Sequence, residues 1–126
     1  MRYLLDSTVI IDHVAGDLGA IGVVRRLFEG RNELYTCDVV TCETLSRGAD
    51  EEIRRRRVLL DALEYVSTSP AAARWAGDSR RRRHGAGGKR ALGDALIAGV
   101  AVNLGAVVVT RNRPDFARQG VEVLEY

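Results

Sequence analysis

Residues 106–110, Ala-Val-Val-Val-Thr, make a short β-branched run with no polar alternation. Such runs are buried on both faces, and that is the habit of strands in parallel sheets covered by helices. The rest of the chain supplies the covering helices. Residues 18–29 place apolar side chains at 21, 23, 24, 27 and 28, a helical spacing that Gly30 ends. Residues 3–5 and the β-branched stretch 8–11 read as a buried first strand, with Asp6 at its carboxyl end and Ser7 opening a turn. Residues 34–37 are a short strand, and 39–45 enter a helix carrying Glu43. A further helix is expected from Asp50 to about Tyr65, with Asp50, Glu51 and Glu52 at the positive end of its dipole. Ile53, Leu59, Leu60 and Leu63 form its inward stripe. Pro70 opens a helix over 71–83, and His84 to Gly88 is a glycine-rich loop that fits no phosphate-binding pattern. Gly93-Asp94 precedes an apolar helix closing at Asn103-Leu104-Gly105; 111–116 is a polar turn, and 121–124 a last strand. Strands alternating with helices predict an α/β three-layer architecture with a mostly parallel central sheet.

The chain's 126 residues fit one domain. The start, with acids at positions 6 and 12, does not resemble a signal peptide, and the longest apolar stretch, 95–102, is too short to span a bilayer. A soluble cytoplasmic protein without membrane contact is the expectation. Cys37 and Cys42 suggest neither a disulfide framework nor a zinc site, because His13 and His84 lie in unrelated contexts. Net charge is only +2, but the basic residues are clustered, at 54–57 and again at Arg80, Arg81, Arg82 and Arg83, with Lys89 and Arg90 following. Basic patches beside separate carboxylates suit a molecule that holds both a phosphate backbone and a cation.

In open parallel sheets ligands bind at the carboxyl ends of strands. Asp6 sits at one such end, and Asp115 follows another closely; Asp94 begins a helix, and Glu43 lies near the start of one. Four segments could therefore bring carboxylates to one sheet edge. Crowded carboxylates repel, and a hard cation such as magnesium or manganese relieves that repulsion. Taken singly, each acid also has a plain structural reading as a strand terminator, a helix cap or a surface charge.

Three segments carry a resemblance. YLLDSTVIID resembles the first strand and site aspartate of PIN domains, VVTCETLSRG their second motif, and GDALIAGVAVNLGAVVVTRNRPDF their last helix, buried strand and Thr-Arg-Asn to Asp-Phe segment. The motifs run in the expected order over nearly the whole chain, and the length and that last segment resemble VapC toxins of bacterial toxin–antitoxin pairs. The resemblance implies a PIN fold, RNA cleavage that depends on magnesium or manganese, a cognate VapB-like antitoxin as partner, and a homodimer. Carried over by position, it makes Asp6, Glu43 and Asp94 the core acids. The fourth position falls on Asp115 or on Asn112; we place the acid at Asp115, with Ser7, Thr110 and Asn112 in support. Asp6, Asp94 and Asp115 would hold the cation, and Glu43 would orient or deprotonate water. The first motif departs from the common Asp-Thr-Asn form, since Thr8 replaces the asparagine. Arg80 to Arg83, Lys89 and Arg90 would meet RNA phosphates, or else form a solvated helix face. Tyr35, Tyr65 and Trp75 are read chiefly as packing residues.

Two rivals remain. One is a catalytically silent PIN-like binding module, which the presence of all three core acids argues against. The other is a phosphoacceptor receiver domain, which needs a lysine after a late strand; the only lysine, Lys89, lies in the glycine-rich region.

Overall fold

The computed structural model describes residues 1–82 and 91–126. Arg83, Lys89 and Arg90, three of the residues expected to meet RNA, lie outside the described residues, as does the glycine-rich segment. The described chain runs β1 (Arg2–Leu5), α1 (Ser7–Val14), α2 (Leu18–Glu29), β2 (Glu33–Cys37), α3 (Asp38–Leu45), α4 (Asp50–Asp61), β3 (Glu64–Val66), α5 (Pro70–Arg82), α6 (Leu92–Leu104), β4 (Val107–Thr110), α7 (Arg113–Ala117) and β5 (Val123–Glu125).

The strands form one sheet in the order β3-β2-β1-β4-β5, and all four pairings are parallel. Leu4 and Leu5 of β1 and Val108 and Val109 of β4 are wholly buried. This is the reason for the unbroken apolar runs: these two central strands have no wet face. Right-handed crossovers put α1 to α4 on one side of the sheet and α5 to α7 on the other, and α3 also meets α6. Among the described residues no single helix is long and apolar enough to cross a membrane.

Four expectations need correction. Ser7 opens a helix and not a turn, and the β-branched stretch 8–11 lies inside it. Val9, Ile10 and Val14 are buried there, so packing of that face overrides the strand preference. The helix from Asp50 ends at Asp61, and residues 64–66 form the edge strand β3. Residues 113–117 are helical, with Pro114 in the first turn, where proline's missing N–H is harmless. The basic run 54–57 is not one exposed patch. Arg56 is buried, and its guanidinium donates to the carbonyls of Thr44 (3.1 Å) and Arg47, fastening the link between α3 and α4.

α5 and α6 form an antiparallel hairpin. Asn103 at the end of α6 donates to Ser69 at the start of α5 (3.3 Å). In the middle, Gly99 lies against the Ala72 backbone, so closely that a Cβ would strike its carbonyl oxygen. The far end of α5, with Arg80, Arg81 and Arg82, therefore lies beside the start of α6, where Asp94 is. Gly105 closes α6 in a left-handed conformation (φ +68°) that suits glycine.

Candidate active site

Strand order reverses direction between β1 and β4, which makes their carboxyl ends the switch point of the sheet. Asp6 sits there. Its N–H completes the β1–β4 ladder by donating to the Val109 carbonyl (3.0 Å), and it caps the start of α1 in extended conformation. Its side chain is buried, at 2% exposure. Two hydroxyls donate to Oδ2: Thr110 at 2.9 Å and Thr8 at 3.1 Å. Thr110 Oγ1 in turn accepts the Asn112 N–H (2.9 Å), and Thr8 Oγ1 accepts that of Arg111 (3.2 Å). Thr8 thus does more than fill the place of an asparagine: its hydroxyl ties the carboxylate to the β4 turn.

Ser7 joins Asp6 to Glu43. Its Oγ lies 3.2 Å from Glu43 Oε1 and 3.5 Å from Asp6 Oδ1, so its single proton serves the glutamate better. Glu43 is in the last turn of α3, not near its start as expected, and the turn it occupies brings it beside α6. There it lies over Gly93, where any Cβ would strike Oε2. Burial raises the Asp6 carboxyl above its ordinary range, against the lowering effect of its hydrogen bonds. Burial also raises Glu43, the Asp6 charge adds to this, and the Ser7 bond lowers it. Among the described residues no lysine or arginine pairs with either acid.

Asp94 is in the first turn of α6, next to Gly93. Asp115 is in the first turn of α7; its carbonyl accepts from Gln119 (2.9 Å), whose own carbonyl accepts from Ser79 near the end of α5 (2.9 Å). Asn112 is exposed. Among the described residues no three acidic, cysteine or histidine side chains converge on one ion position. Asp6 and Glu43 are brought together, and Asp94 and Asp115 do not complete a ligand shell with them. The donors at the site are carboxylate and hydroxyl oxygens, a chemistry that fits a hard divalent cation. Arg80, Arg81 and Arg82 lie at the end of α5, and Arg80, Arg81 and Arg82 are exposed as far as they are described. Of the aromatic residues, Tyr35 and Trp75 pack against the core, whereas Tyr65 is largely exposed. Cys37 is buried and its thiol is pushed up to about 11, while Cys42 is exposed; both are free.

Gly93, which sequence reasoning did not single out, lies against Glu43 and stands directly before Asp94. Gly93→Ala should leave the melting temperature nearly unchanged, because only the flexible end of Glu43 must move. Any activity that depends on where Glu43 lies should fall about tenfold or more as it is displaced. A variant as active as the parent would mean that Glu43 need not occupy this place.

A parallel α/β sheet whose switch point carries a buried aspartate, Asp6, beside the exposed Glu43 is the class of architecture in hand. The PIN domain family model matches residues 3–121, and the chain belongs to that family. No curated protein matches it in sequence. Solved structures share the fold at low identity. A chain of the Rickettsia felis VapBC2 complex, bound to a promoter DNA fragment, is 20% identical with a TM-score of 0.85, over 100% of this chain and 99% of that one. A chain of DNA-bound VapBC from Salmonella typhimurium is 23% identical with a TM-score of 0.80, over 99% and 98%. Mycobacterium tuberculosis VapC20, a sarcin-ricin loop cleaving toxin, is 17% identical with a TM-score of 0.71, over 98% and 99%.

Proposed function

We propose that this protein is a metal-dependent endoribonuclease of the VapC type, the cytoplasmic toxin of a toxin–antitoxin pair, which hydrolyses RNA phosphodiesters. The observation that carries this reading is the Asp6–Glu43 pair, two neighbouring carboxylates joined by Ser7 and with no described cation partner. The likeness to chains of VapBC complexes and to VapC20, a sarcin-ricin loop cleaving toxin, supports it.

Asp6 would hold the cation, and Asp94 and Asp115, which do not converge with it in this structure, would have to draw in to complete its ligands. When bound, magnesium or manganese supplies charge neutralisation for the phosphodiester and acidifies water. Glu43 takes the proton of the attacking water; its raised affinity for protons suits a general base. Ser7 orients that carboxylate, and Thr8 and Thr110 fix Asp6. The water oxygen bonds to phosphorus as the ester oxygen leaves, and the leaving oxygen picks up a proton. Arg80, Arg81 and Arg82, at the end of α5 nearest Asp94, would draw in the RNA backbone together with Arg83, Lys89 and Arg90.

The antitoxin's place would be a groove between α2 and α4, floored by the end of α1. His13, Val14, Ile21, Phe28, Val58 and Leu59 line it, and Phe28 and Val58 are exposed. Such a groove accepts the apolar face of a helix. Copurification with a small partner, lost when that partner's helix is deleted, would bear this out; inhibition surviving the deletion would refute it.

The deciding experiment incubates purified protein with labelled RNA and titrates the metal. Cleavage should require magnesium or manganese, stop in excess EDTA and resume when metal is restored. Cleavage persisting in excess chelator would overturn the mechanism. In the same assay Asp115→Asn should lower the rate more than Asn112→Ala, and the reverse order would move the fourth position to Asn112.

A further inference from the structure

Arg111 directly follows β4, and its backbone N–H reaches Thr8, which donates on to Asp6. Its guanidinium then runs along α1. Nη1 meets both oxygens of Asp12, at 2.9 and 2.8 Å. The Asp12 side chain is only 13% exposed and also accepts the Tyr126 hydroxyl at 2.7 Å. The Arg111 side chain, by contrast, is 58% exposed. A surface ion pair between two mobile side chains gains little, because both must be immobilised. This pair differs: its acid is nearly covered and fixed by a second donor. The arginine is thereby held in place through one nitrogen, and Nε and Nη2 make no hydrogen bond among the described residues.

We propose that Arg111, set in position by Asp12 and Tyr126, grips the RNA phosphate next to the one being cut. The proposal rests on the ribonuclease reading. Asp12 lies one helical turn beyond Thr8, about 5.4 Å along α1. That sets the guanidinium about one helical turn from the Asp6 end, on the order of the spacing between neighbouring phosphates of a single strand. A guanidinium with a free nitrogen edge suits phosphate oxygens, and lysine cannot hold Asp12 and a phosphate in the same way. If the arginine were only a strap between the β4 turn and α1, its loss would change melting and leave RNA binding alone.

The test uses Glu43→Gln protein, so that RNA is bound without being cut, in EDTA. Anisotropy of a labelled single-stranded 12-mer is followed over a range of salt concentrations. Arg111→Gln should weaken binding roughly tenfold and flatten the salt dependence by about 0.7 in log–log slope. Arg111→Lys should keep the slope and lose part of the affinity, and it serves as the second variant should the glutamine form melt too low. Parent affinity and slope in both variants would overturn the proposal. So would binding by the lysine variant equal to the parent in every respect, since the planar fork would then be dispensable. Failure of the Glu43→Gln protein itself to bind RNA would instead remove the ribonuclease reading, and this proposal with it.

Discussion

Asp6→Asn is expected to lower RNA cleavage by at least about a thousandfold and to raise the melting temperature of the metal-free protein. The two effects have one origin. Asp6 is only 2% exposed and shares Ser7 with Glu43, so its ionised form lacks both water and a described counter-cation. Its carboxyl therefore binds a proton more tightly folded than unfolded, where the ordinary value is 3.8. A group of this kind contributes stability that is fully present below the ordinary carboxylate range and is lost as pH rises through its raised folded value. Asparagine removes the charge and keeps the geometry: its Oδ1 can accept from Thr8 and Thr110 as Oδ2 does now. The gain should be on the order of 1 kcal/mol, or a few degrees. It should be measured in EDTA at pH 7.5 and should shrink toward zero below about pH 4. A variant that melts lower than the parent at neutral pH would show that the Asp6 charge is compensated in the free protein. A variant that still cuts at the parent rate would place the chemistry elsewhere.

Gly99→Ala should destabilise the fold by about 2–3 kcal/mol, a fall on the order of 10 °C. Glycine to alanine within a helix ordinarily stabilises by up to about 1 kcal/mol. Gly99 reverses the sign because the added methyl meets the Ala72 carbonyl oxygen. That atom belongs to the backbone of α5, and it can yield only if the whole hairpin opens. Gly77, on the same hairpin, has nothing within 4 Å of the place its methyl would take, and it supplies the control. Gly77→Ala should raise stability by about 0.5–1 kcal/mol. Thermal or urea unfolding of the two variants side by side reads the contrast. If Gly99→Ala melts at or above the parent, α5 and α6 do not touch as described.

The sheet was legible where burial leaves an unambiguous pattern. Residues 107–109 read as a doubly covered strand because all three are valine, and Leu18–Glu29 read as a helix because its apolar stripe is complete and Gly30 ends it. β3 was not legible: Glu64, Tyr65 and Val66 are three residues at a sheet edge, two of them exposed, and carry no alternation to detect. α1 misled for the opposite reason, since its β-branched residues are dictated by the surface they pack against. At the site, the acids could be placed near strand ends from sequence alone. The link from Ser7 to Glu43 and the fit of Glu43 over Gly93 could not, because both depend on how α3 meets α6. The Asp12–Arg111–Tyr126 cluster spans 114 residues from Asp12 to Tyr126 and leaves no local trace.

The bond between Thr110 and Asp6 joins residues 104 apart in sequence, and β1 stands between β2 and β4 in the sheet. During synthesis the first strand leaves the ribosome long before its second neighbour exists. At roughly 5–20 residues per second, Thr110 follows Asp6 by about 5–20 s. Over that interval the nascent chain holds Asp6 but has neither the β4 ladder nor the hydroxyl that fixes its carboxylate. Long-range parallel pairing of this kind also forms slowly, because loop closure precedes any gain from contact. Completion of the fold is thus a built-in delay: a ribosome carrying a partly made copy carries a chain that does not yet possess its site.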